Sequence, residues 1–133
     1  MGKGLIHHME MNVSDLSKST DFWGWLLEEL GYHLFQKWDA GRSWKLNDSY
    51  LVFVQTEEKY LPSSYYRKRV GLNHLAFHAE SSAQVDALTK RLQQKGIPIL
   101  YSDKHPYAGG INHYAVYFED PDRIKVEIVA PKL

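Results

Sequence analysis

Apolar and polar positions along the chain change period from strand to helix and back, and then repeat that change. Residues 5–13 mix apolar and polar side chains as a half-buried strand does, with His7 and His8 expected on opposite faces. From Ser17 onward Phe22, Trp25, Leu26 and Leu30 recur at spacings of three and four. That spacing predicts a helix, opened by the cap chemistry of Ser14-Asp15 and stopped at Gly31. Residues 32–38, 43–46 and 50–55 then read as strands, separated by the turn sequences Asp39-Ala40-Gly41 and Asn47-Asp48-Ser49.

The same order follows again. Residues 72–79 form a strand, and Ser81 with Gln84 three residues on makes a capping box. Val85, Leu88 and Leu92 supply a buried helical stripe that Gly96 closes. Residues 97–101 read as an edge strand broken by Pro98, residues 102–112 as a loop with Gly109-Gly110, and residues 113–118 and 125–129 as strands about an Asp-Pro-Asp turn. The tyrosine-rich polar segment 56–69 joins the halves or covers a site. The expected fold is therefore α+β: one domain made of two βαβββ modules, about 1–66 and 70–133, whose open curved mixed sheet surrounds a metal or ligand cavity. The repeat lies in the order of elements; residue-by-residue similarity between the halves is weak.

A length of 133 residues suffices for one proper core. Sixteen basic and sixteen acidic residues cancel, which removes the bulk field that nucleic acid or an anionic membrane would need. No apolar run could cross a bilayer, and the start M-G-K-G-L-I-H-H has no signal-peptide core, so a cytoplasmic address is expected. The absence of cysteine excludes disulfides, thiolate nucleophiles and cysteine zinc sites together.

Chemistry is left to histidine and carboxylate. His74 and His78 are four residues apart, which on a helix would bring both to one ion. On a strand they share a face but stand roughly 13 Å apart, too far for a common ion. The inward positions on the first and last strands are instead His8, His74 and Glu127. A strand histidine alone is commonly a hydrogen-bonded structural residue. Two imidazoles and a carboxylate at matching points of a repeat suit a divalent ion with open positions for substrate. Beyond them, the loop residues His105, Tyr107 and His113 are candidate acid–base or substrate contacts, and the loop with Gly109-Gly110 reads as either a lid or an ordinary surface hairpin. The run Arg67-Lys68-Arg69, beside Tyr65 and Tyr66, could bind an anionic group or be a solvated face.

Three stretches, I-H-H-M-E-M-N-V-S-D-L-S-K-S-T-D-F-W, G-L-N-H-L-A-F-H and Y-F-E-D-P-D-R-I-K-V-E-I-V, resemble the vicinal oxygen chelate superfamily. That superfamily includes glyoxalase I, fosfomycin-resistance and bleomycin-resistance proteins and extradiol dioxygenases. The resemblance implies paired βαβββ modules around a divalent metal (Zn, Ni, Mn or Fe) held by His8, His74 and Glu127, with Glu127 also catalytic. It implies a lyase, isomerase or transferase acting on a small oxygen-chelating substrate, and a homodimer, with the site within one chain or completed across the interface. The alternatives are a metal-free ligand-sequestering protein of the bleomycin-resistance type and an extradiol dioxygenase. The sequence departs from glyoxalase I where that enzyme carries a fourth, glutamate ligand: Phe53 or Gln55 is expected there, as a substrate contact or neutral ligand. It departs again at D-P-D-R-I, where many members have D-P-D-G-N.

Overall fold

The computed structural model describes residues 2–132. The chain divides into two compact units, with the boundary between Ser64 and Tyr65, inside the segment read as a joint. In the first unit the order is β1 (His8–Val13), α1 (Leu16–Glu29), β2 (His33–Trp38), β3 (Gly41–Leu46) and β4 (Ser49–Gln55). β1 runs parallel to β4, and the sheet order is β1-β4-β3-β2. Met11, Val13, Trp44 and Phe53 share the face that α1 covers with Phe22, Trp23, Leu26 and Leu27, and all of them are buried. The Phe53 ring stacks on Trp23 at 5.0 Å and meets Trp44 edge-on at 5.9 Å. Trp25, expected in the helical stripe, is only half-buried; Trp23 takes its place.

The start of α1 is fixed from two directions. Asp15 accepts from the Lys18 amide at 3.1 Å as the N-cap, and Gln55 Oε1 accepts from the Leu16 amide at 2.8 Å. Gly31 ends the helix with φ of 95°, a conformation other residues rarely adopt.

The second unit holds β5 (His74–His78), α2 (Ser82–Gln94), β6 (Ala115–Glu119) and β7 (Lys125–Val129). Its sheet order is β5-β7-β6, with β5 parallel to β7. Ser81 caps α2 as expected, accepting from the Gln84 amide at 3.1 Å; the Gln84 side chain accepts from the Glu80 amide at 2.7 Å. The strand expected at 97–101 does not form. Pro98 lacks an N–H, Tyr101 takes a φ of 54°, and only the Leu100 amide reaches the edge of β6, donating to Tyr117 O at 2.9 Å. The second module is therefore βαββ.

The repeat survives this loss because its register is intact. In both units the first strand lies parallel to the last, and the strand before the last lies antiparallel to it. His8 pairs with Tyr50 as His74 pairs with Lys125, so the two histidines occupy equivalent points. Among the described residues no helix is long and apolar enough to cross a membrane.

Candidate metal centre

Alternation along β5, β6 and β7 puts Leu75, Phe77, Val116, Phe118, Val126 and Ile128 on one face of the second sheet, where α2 packs. His74, Tyr117 and Glu127 therefore share the other face. Tyr117 is the cross-strand partner of Glu127, and His74 lies diagonally one pair away. The Glu127 side chain is only 5% exposed, and a carboxylate so enclosed needs compensating partners. It has three. His74 Nε2 stands 3.2 Å from Oε1, His113 Nε2 makes a close hydrogen bond to Oε2, and the Tyr117 hydroxyl donates to the same carboxylate. Burial first, and then this bond to Glu127, push the Tyr117 phenol well above its ordinary range, so it remains a neutral donor.

The His74 ring has a defined orientation. Its Nδ1 lies 2.7 Å from Asn73 Oδ1, which as an acceptor places the ring proton on Nδ1. Nε2 then turns a lone pair toward Glu127 Oε1. An imidazole nitrogen and a carboxylate oxygen facing one another at 3.2 Å are atoms of the kind a divalent ion takes as ligands. The donor chemistry fits a divalent ion. Among the described residues no three His, Cys, Asp or Glu side chains converge as a metal-holding group.

His8, in the first unit, begins β1. Its Nδ1 is 2.9 Å from His7 Nδ1, and its ring stacks on Tyr50 at 4.8 Å. His7 does not point to the opposite face: it precedes the strand, and its ring meets both His8 and Tyr50 edge-on. The bond to His7 occupies one nitrogen of His8 and leaves Nε2 for a ligand.

Phe53 and Gln55 face away from His8. Phe53 is sealed in the core under α1, and Gln55 binds the Leu16 amide and, through Nε2, Ser14 O at 2.8 Å. The expectation that one of them holds the fourth position is corrected by the register. Glu127 pairs with Ala76, two residues after His74; the residue pairing two after His8 is Val52. A hydrocarbon stands at that point, and no oxygen ligand can come from it.

Of the loop candidates, His113 joins the carboxylate and the other two do not. His105 is half-buried, and its ring makes no hydrogen bond to this cluster among the described residues. Tyr107 is exposed, packs edge-on against Tyr114, and lines an open cavity of about 570 Å³ with Ser82, Ile111 and Asn112. That larger cavity does not adjoin Glu127. A smaller one, about 440 Å³, is lined by Ala76, His78, His113 and Val129 and opens beside the cluster. Arg67 does not wait for an anion: it pairs with Glu119, which Arg123 also approaches at 3.5 Å. Sequence reasoning missed Asn73 and Tyr117. Tyr117 could have been found by pairing the last two strands antiparallel, which puts it opposite Glu127.

The D-P-D segment, of which Asp120 is buried, shapes a turn. Asp120 accepts from the amides of Asp122 at 2.9 Å and Ile124 at 2.8 Å and so folds the turn that leads into β7. Arg123 holds a φ of 66° within it, the backbone conformation that suits glycine.

A family model described as the Glyoxalase/Bleomycin resistance protein/Dioxygenase superfamily matches residues 5–128. The chain belongs to that superfamily. Within it, YqjT of Bacillus subtilis (strain 168), an uncharacterized protein, is 61% identical over 126 residues, covering 95% of this chain and 98% of its own. Glutathione transferase FosA of Serratia marcescens is 30% identical over 124 residues, covering 92% of this chain and 78% of its own. A Bacillus halodurans structure, provisionally described as a glyoxalase, matches with a TM-score of 0.96 at 59% identity over 97% of both chains. The fosfomycin resistance protein FosX of Listeria monocytogenes matches at 0.69 and 21% identity, over 100% of this chain and 94% of its own, a likeness of fold. The superfamily fold expected from the three resembling stretches is thus the fold present.

Proposed function

We propose that this superfamily member is a metal-dependent enzyme that grips a small substrate through two of its oxygens, with His8, His74 and Glu127 as protein ligands of a divalent ion. The observation that carries the reading is the facing pair of His74 Nε2 and Glu127 Oε1, 3.2 Å apart, the carboxylate enclosed and the imidazole partly open to solvent. A bound ion (zinc, nickel, manganese or iron) would supply the Lewis acid that polarises the substrate oxygens and stabilises an enolate or oxyanion. His8 adds the third ligand, from the same chain or from a second copy in a homodimer. Asn73 orients the His74 ring so that Nε2 faces Glu127, and Tyr117 holds its proton and orients Glu127. A cytoplasmic address suits the cysteine-free chain.

Val52 bears on the reaction class. With hydrocarbon at the repeat equivalent of Glu127, the first module carries no carboxylate at that point to shuttle a proton between substrate carbons. Addition of an external nucleophile to a metal-held substrate needs no such base on the protein. The 30% identity to a glutathione transferase supports the same choice. The metal-loaded protein is expected to consume free thiol when given glutathione and fosfomycin, and to leave the hemithioacetal of glutathione and methylglyoxal unchanged. Isomerisation of the hemithioacetal without thiol transfer would overturn the assignment of reaction class.

A further inference from the structure

His113 belongs to no strand, yet its ring reaches the same carboxylate as those on the sheet. Its amide donates to Gly110 O at 3.1 Å, and the amide of Ala115, two residues on, donates to Pro106 O at 3.0 Å. Between them Tyr114 bonds Asp86 on α2 and carries Tyr107 against its ring. Gly109 lies directly against the histidine: a Cβ there would stand 2.5 Å from His113 Cδ2 and 2.7 Å from the Tyr117 hydroxyl. The loop thus delivers one imidazole nitrogen to Glu127 Oε2, the oxygen opposite the one that faces His74.

We infer that His113 is a positioning residue for the metal centre: by donating Nε2–H to Oε2 it fixes the rotation of the Glu127 carboxylate and presents Oε1 beside His74 Nε2. A carboxylate accepts at two oxygens, and one that turns freely about its last bond offers either to a cation. With Oε2 held, only Oε1 is directed at the ligand side. The same bond removes part of the desolvation cost of a carboxylate that is 5% exposed. This role rests on the proposed metal function, since it concerns a ligand of that metal, and it differs from the substrate contact expected of His113 from sequence.

The test measures manganese and zinc affinity of the purified full chain by titration against a competing chelator. The set is wild type, His113→Phe, His113→Gln and Gly109→Ala, each also loaded with cobalt for its absorption spectrum. His113→Phe is expected to weaken metal binding on the order of 10- to 100-fold, the range seen when a partner of a ligand is removed. Glutamine places an N–H near the position of Nε2, and its affinity should return to within a few-fold of wild type. Gly109→Ala keeps the histidine but pushes it aside, and should weaken binding as His113→Phe does; it carries the comparison if the phenylalanine variant fails to fold. The cobalt spectrum should keep its shape throughout, because no ligand is lost. Wild-type affinity in both His113→Phe and Gly109→Ala, or a cobalt spectrum altered by His113→Gln, overturns the inference while leaving the metal reading standing. A wild-type chain that binds no divalent ion overturns both.

Discussion

Ser19 lies inside α1 with no exposed surface, and among the described residues its hydroxyl has no hydrogen-bond partner. A buried hydroxyl without a partner carries its desolvation cost uncompensated, and serine is also a poorer helix former than alanine. Ser19→Ala should therefore raise stability by about 1–2 kcal/mol in urea unfolding, against the usual direction of core substitutions. Tyr114 gives a second prediction at this scale. Its hydrogen bond to Asp86, helped by burial, raises the phenol from 10.0 to about 12. A raised pKa in the folded state means that the contribution is whole below about pH 10 and is lost as pH climbs toward about 12. Stability measured across that window should fall less steeply in Tyr114→Phe than in wild type. An equal slope would show that the bond to Asp86 does not persist in solution. Single residues were also where the sequence read least well. That Glu127 needs partners followed from its apolar neighbours, but one of the three, His113, comes from a loop whose path no periodicity encodes. His113 was marked from its residue type and Tyr117 was not, although the structure brings both to the same carboxylate.

At the scale of elements, strands and helices were legible because period and cap chemistry agree. Asp15 and Ser81 cap where expected, Gly31 and Gly96 stop the helices with φ of 95° and 75°, and β5 is a strand, which rules out a His74–His78 chelate. Two element readings failed for identifiable reasons. The segment at 97–101 had strand-like composition, but Pro98 and the left-handed Tyr101 leave it a single bond to β6. The facing of β4 was open because its run Leu51-Val52-Phe53-Val54 is apolar on both faces, and only pairing with β1 decides that Phe53 faces α1. Gln55 then has a testable role. Gln55→Leu removes the acceptor for the Leu16 amide and the donor to Ser14 O, and should cost about 1–3 kcal/mol. Its metal content should stay that of wild type. Loss of metal with unchanged stability would return Gln55 to the site.

At the scale of the whole molecule, the repeat was visible in the order of elements and is deeper in the structure, where it lies in register. His8 over Tyr50 and His74 over Lys125 are equivalent pairs, and Val52 and Glu127 are equivalent positions with opposite chemistry. One half carries a carboxylate where the other carries hydrocarbon. A divalent ion held as proposed would bind the folded chain and not the unfolded one. Saturation at about 100 times Kd should then add about 2.7 kcal/mol to stability, seen as a Tm that falls on adding a chelator. The most direct measurement is elemental analysis of the protein purified without added metal, beside His74→Ala and Glu127→Ala prepared identically. Roughly one divalent ion per site in the wild type, and none retained by either variant, is the expected result. Full metal content in both variants would contradict a centre built on His74 and Glu127.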